Sequence, residues 1–143
     1  MSSGLIRLHY DISAKDFSLA GEASSSVKKM LVQLGVDPAV VKKTAIAMYE
    51  AEINAVIHAN GGASDVEIDS EKILVRITDA GPGIPDLELA MQEGWSTATD
   101  SIREMGFGAG MGLPNMKRYA DKLNIETEVG KGTTVTITVN LKG

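Results

Sequence analysis

The chain has 143 residues, 43% of them apolar, which is the length of one domain with material for one sizeable core. Fourteen basic against nineteen acidic residues leave a formal charge of −5, the wrong balance for a chain that lives on nucleic-acid phosphates. There is no cysteine, which removes disulfides, thiolate metal sites and cysteine catalysis and fits the cytoplasm; no stretch approaches the roughly eighteen uninterrupted apolar residues of a membrane span, so neither nucleic acid nor membrane is an expected partner.

Ile6, Leu8, Tyr10 and Ile12 alternate with Arg7, His9 and Asp11, the period of a strand with one wet face. From Asp16 to Leu34 the apolar residues Ala20, Ala23, Val27, Met30, Leu31 and Leu34 recur at three- and four-residue steps, and Gly35 follows as a stop, so a first helix is predicted there. Asp37-Pro38 supplies an N-cap and a proline at the first helical position. The second helical pattern then runs through Val41, Ala45, Met48, Ala55 and Ala59 to Asn60-Gly61-Gly62. Val66–Ile68 and Ile73–Ile77 are short β-branched runs joined by Asp69-Ser70-Glu71, which reads as an antiparallel pair. Between Ala80 and Gly112 the periodicity fades and glycine becomes dense; a loop of that length usually has a function. Leu113–Leu123 is helical in pattern, and Ile125–Val129 and Thr133–Leu141 alternate like strands around Gly130-Lys131-Gly132. The order predicts a two-layer α/β sandwich, a mixed and largely antiparallel sheet with helices on one face, in a single domain over residues 1–143.

Glu50, Asn54 and His58 stand four residues apart in the second helix, so they project from one face at successive turns. Such a stripe is either solvated or functional. Ala47, Ala51 and Ala55 beside it leave room for a ligand, and a carboxylate next to an amide oxygen suits Mg²⁺ binding and proton abstraction; His58 near a helix end is equally a partner of the helix dipole. Glu52, two positions on, faces away from Glu50. In Asp79-Ala-Gly81-Pro-Gly83 an acid ends a strand just where the backbone must turn. It can accept a hydrogen bond from an exocyclic amine such as that of adenine, or simply belong to a tight turn. Gly106-Phe-Gly108-Ala-Gly110-Met-Gly112 leads into Leu113-Pro114-Asn115 and a helix, bringing backbone N–H groups to a helix N-terminus where phosphate binds well. The run matches neither the dinucleotide fingerprint nor the P-loop, and a flexible loop is its plain alternative.

In one fixed order, E-x-x-x-N at Glu50 and Asn54, D-x-G-x-G at Asp79, the Gly106–Gly112 run and Gly132-Thr133-Thr134 resemble the N, G1 and G2 boxes and the terminal G-T of the GHKL ATPase and kinase superfamily, with its Bergerat ATP-binding fold. Gly108 to Arg118, Asp121-Lys-Leu and Gly130-Lys-Gly-Thr-Thr look like the branch of small stand-alone serine kinases of bacterial partner switching, the anti-sigma factors. The resemblance implies that ATP and Mg²⁺ are cofactors, that Glu50 is the base toward an acceptor hydroxyl, and that Asn54 ligates the metal. It further implies that Asp79 reads the adenine amine with Thr133 assisting through water, that Gly81 and Gly83 pass close to the base, and that Gly108, Gly110 and Gly112 cradle the phosphates. A mobile lid over about residues 86–107, with Trp95 and Arg103, would close over them, and Lys117 or Arg118 would lie near. The implied function is a serine/threonine kinase acting on a small antagonist protein, with a sigma factor or another regulator as a further partner. A non-catalytic ATP-dependent binding switch and a histidine-kinase-type ATPase domain are the alternatives. Apolar surface on the first helix and the edge of the first strand offers a route to a homodimer.

Overall fold

The computed structural model describes residues 5–12, 21–58, 62–79 and 112–141. In chain order they form β1 (Ile6–Ile12), α1 (Glu22–Gln33), α2 (Pro38–His58), β2 (Gly62–Ile68), β3 (Lys72–Asp79), α3 (Gly112–Tyr119), β4 (Lys122–Glu128) and β5 (Gly132–Asn140). Local chemistry sets several of these boundaries. Asp37 caps α2 by accepting the Ala39 N–H at 2.8 Å, with Pro38 at the position where a missing donor costs nothing. Gly35, at φ +77°, lets the chain reverse after α1 while the Val36 N–H donates to the Leu31 carbonyl at 3.1 Å.

The strands make one sheet in the order β1-β2-β3-β5-β4, and every neighbouring pair is antiparallel. Register lines the alternating residues into rows: Ile6, Ile68, Ile73 and Val139; Leu8, Val66, Val75, Ile137 and Leu123; Tyr10, Ser64, Ile77, Val135 and Ile125. These rows face the helices and join Val27 and Leu31 of α1, Met48 of α2 and Met116 of α3 in one core. α2 packs against α1 and α3 and lies across β3 and β5. The opposite face is polar. Arg7 lies 3.5 Å from Glu67, and His9 contacts Asp65 at 2.7 Å and Asp11 at 3.2 Å. One residue within the helix-facing rows breaks their apolar character: Ser64 is 0% exposed and its hydroxyl has no hydrogen-bond partner among the described residues.

Two boundaries differ from the sequence expectation. The last helix stops at Tyr119 instead of running to Leu123, because Leu123, Ile125 and Thr127 turn toward β5 with period two and the Asp121 N–H already donates to the Thr138 carbonyl at 2.9 Å. The Asp121 carboxylate then fastens this corner, accepting from Lys43 Nζ and from the Asn140 N–H, each at 2.7 Å. β2 begins at Gly62, well before Val66, since Ala63, Ser64 and Asp65 pair with Thr78, Ile77 and Arg76 despite their poor strand propensity.

Candidate functional site

At one end of the sheet the apolar rows give way to Ile12, Gly62, Asp79, Thr133 and Thr127, cross-strand partners in succession. The acid that ends β3 is thus set directly beside the threonine that opens β5. Thr133 is 8% exposed and its hydroxyl lies 2.9 Å from that of Thr127; Asp79 is half-buried. On the other flank of Asp79, Gly62 has no side chain, and a Cβ there would overlap the Thr78 carbonyl and stand 3.1 Å from the Asp79 Cα. Glycine at this position therefore holds β2 tightly against β3 and fixes where the Asp79 backbone lies.

Glu50 and Asn54 occupy successive turns of α2, both half-buried, beside the buried small residues Ala47, Ala51 and Ala55. The chain passes from the last residue of α2, His58, to Gly62 in four steps, a reach of at most about 14 Å. The Asn54 end of the helix is thereby tethered to the Asp79 end of the sheet. Burial raises the pKa of Glu50 above the ordinary glutamate range, and a side-chain hydrogen bond from Asn115 of α3 offsets part of that rise. Gly112, three residues before Asn115, opens α3, so the end of the glycine run lies within one helical turn of the residue that touches Glu50.

Asn115 was not a candidate from sequence, where it served only to mark a helix start. Its signal is an amide in the first turns of a helix that leaves a glycine run, on a face its partner helix must meet. Glu52 faces away from Glu50 as expected, but it is not idle. It is 3% exposed, and its carboxylate accepts the N–H groups of Gly21 and Ala23 at 3.1 Å and of Ser24 at 2.9 Å, replacing the side-chain cap that α1 lacks. Gly81, Gly83, Gly108, Gly110 and the lid segment with Trp95 and Arg103 lie outside the described residues, as do the side chains of Gly112's neighbour Leu113 and of His58. Lys117 and Arg118 sit exposed in the last turn of α3.

This arrangement, an acceptor beside a buried hydroxyl at a sheet end, fits the amine edge of an adenine; Ala47, Ala51 and Ala55, expected to leave room for a ligand, are instead packed in the core. Among the described residues no group of three or more His, Asp or Glu is placed to hold a metal. Mg²⁺ here would rest on Asn54, phosphate oxygens and water, which suits an ion that keeps much of its hydration and is commonly shared with substrate phosphates.

Comparison with known proteins bears on the family and the fold. Residues 40–143 match the family model described as histidine kinase-, DNA gyrase B-, and HSP90-like ATPase. The chain is 34% identical over 122 residues to an anti-sigma F factor of Pasteuria penetrans, covering 79% of this chain and 77% of the relative. It is 36% identical over 121 residues to that of Geobacillus kaustophilus, covering 79% and 78%. Among solved structures, it resembles the RsbU and RsbW domains of a Mycobacterium tuberculosis protein at TM-score 0.63 and 17% identity, over 94% of this chain and 32% of that one. A mycobacterial sensor histidine kinase aligns at TM-score 0.53 and 18% identity, over 94% and 97%; both likenesses concern the fold. Among the described residues no helix is long and apolar enough to cross a membrane. An open antiparallel sheet with helices on one face, a matching model over residues 40–143 and relatives of this identity together establish that the chain belongs to the histidine kinase-, DNA gyrase B- and HSP90-like ATPase family, the GHKL superfamily that its motifs resemble.

Proposed function

We propose that this chain is a cytoplasmic, single-domain ATP-dependent protein kinase of the serine/threonine type, which phosphorylates a small antagonist protein and so changes which regulator, such as a sigma factor, that antagonist or the kinase itself engages. The observation that carries the reading is Glu50: a half-buried carboxylate with a raised pKa, one helical turn from Asn54, in a chain whose relatives are named anti-sigma F factors. A carboxylate whose pKa is raised by burial is a stronger base for abstraction of a hydroxyl proton.

The roles follow residue by residue. Asp79 accepts from the adenine amine, with Thr133 beside it acting through water. Gly81 and Gly83 admit the base, and the N–H groups at Gly108, Gly110 and Gly112 receive the phosphates where α3 begins. Asn54 offers its amide oxygen to Mg²⁺. When bound, Mg²⁺ and ATP supply the phosphoryl group and neutralise its charge. Glu50 takes the proton of the acceptor hydroxyl, and Asn115 holds the Glu50 carboxylate in place for it. Exposed Leu5, Val32 and Leu34, at the start of β1 and the end of α1, support pairing of two copies as part of the same reading.

The relatives' name describes a binding function, which favours a second reading, a non-catalytic switch that ATP orders for docking. Glu50→Ala separates the two when phosphate transfer to the antagonist and ATP affinity are measured together. The kinase reading expects transfer to fall by about 100-fold or more with ATP affinity nearly unchanged. An antagonist that wild type never phosphorylates, but binds only with ATP present, would establish the switch instead.

A further inference from the structure

Among the described residues β1 and β4 are the two edges of the sheet, and they differ as edges. Edge strands are usually kept from pairing with other chains by lysine, proline or a bulge. β1, Ile6-Arg-Leu-His-Tyr-Asp-Ile12, has neither residue, and its seven pairs with β2 run without a break. β4 carries Lys122, Glu126 and Glu128, an excess of negative charge that a copy of itself would meet. On β1, Ile6, Leu8 and Tyr10 face the helices yet are only half-buried, while Arg7, His9 and Asp11 are exposed on the polar face. The strand is complementary to its own reverse: set antiparallel to a second copy about a twofold axis at His9, it places Arg7 opposite Asp11, Leu8 opposite Tyr10 and Ile6 opposite Ile12, each pair twice. This register alone pairs all seven residues, and a slip of one residue sets apolar faces against polar ones.

We propose that β1 is an interaction surface for a second copy of this chain, the two strands pairing in that register and joining the two sheets into one. The arrangement closes on itself about the twofold, so association stops at two. Arg7, which lies 3.5 Å from Glu67 and keeps a 74% exposed side chain, then stands between Glu67 of its own chain and Asp11 of the second copy; the Asp11 side chain is 91% exposed. The Leu8–Tyr10 and Ile6–Ile12 pairs extend the cover of the half-buried row, and apolar pairs with an aromatic member and pairs of opposite charge are those that stabilise strand pairing. At the axis two imidazoles meet, each held by Asp65 at 2.7 Å and Asp11 at 3.2 Å of its own chain, whose carboxylates offset the charge of a protonated ring. The proposal rests on the pairing of two copies put forward above and not on the nucleotide site.

The dimer dissociation constant, from sedimentation over a range of concentrations, tests it for wild type, Arg7→Asp, Asp11→Arg and the double variant. Either single change sets like charges opposite each other twice per dimer and should weaken it about tenfold or more. The double variant restores both attractions and should return to within about threefold of wild type. That recovery cannot arise inside one chain, since positions 7 and 11 are about 13 Å apart along a strand. The chain has no cysteine, so His9→Cys, at the axis, should form a disulfide-linked dimer under mild oxidation, whereas Asn124→Cys, on the polar face of β4, should not. A wild-type dimer that the single changes leave intact, a double variant as weak as either single one, or no crosslink from His9→Cys would overturn the β1 register and leave pairing by another surface. A wild type that is monomeric throughout would overturn pairing altogether, and would leave the nucleotide site standing if that monomer binds ATP.

Discussion

The Glu50 carboxylate is subject to two opposed effects, burial that raises its pKa and the Asn115 hydrogen bond that lowers it. If Glu50 is the base, transfer is fastest when it is ionised, so the rate should climb with pH through an ionisation above the ordinary glutamate range. Removing the Asn115 amide removes the lowering influence, and Asn115→Ala should move that limb to still higher pH, a change that single-turnover transfer across the acid range would display. A limb that does not move would mean that Asn115 supports only the packing of α3. Asn54 and Asp79 were legible as candidates because a polar residue at helical spacing, or an acid before two glycines, departs visibly from core patterning. Asn115 was not, because a hydrogen bond between two helices distant in sequence leaves no local period.

Between elements, the structure depends on a few polar fastenings that apolar periodicity cannot reveal. The first helix lacks a side-chain cap of its own and takes one from Glu52, across the α1–α2 contact. Glu52→Ala would leave three N–H groups without their acceptor, two of them buried, and should cost about 3 kcal/mol by chemical denaturation; a cost below about 1 kcal/mol would mean that water replaces the carboxylate. The β2–β3 approach depends on Gly62 in the same way. Gly62→Ala forces the Thr78–Asp79 backbone to shift, so we expect about 2–3 kcal/mol of destabilisation and weaker ATP binding in the fraction that remains folded, both measurable on one preparation. Helix and strand identities were readable from period, and the starts of α2 and β3 from a cap and from β-branched runs. The start of β2 and the end of α3 were misplaced because tertiary pairing there overrides low strand propensity and a continuing helical pattern.

For the whole molecule, the antiparallel order β1-β2-β3-β5-β4 explains why Asp79 and Thr133, far apart in sequence, stand side by side. It brings the start of β5 beside the end of β3, and the short passage from α2 to β2 ties the Glu50–Asn54 helix to that same end. The motif order suggested this convergence, but the sequence held no direct sign that Asp79 and Thr133 are cross-strand partners; that follows from the register of the β3–β5 pair. The central claim is that this row binds the base, and calorimetric titration of Mg²⁺–ATP into wild type and Asp79→Asn tests it most directly. The account predicts binding in the micromolar range usual for substrate sites by wild type, and at least about 100-fold weaker binding by an Asp79→Asn protein that melts like wild type, since the carboxylate acceptor is lost. Equal affinity in the two proteins, or no binding by wild type, would contradict it.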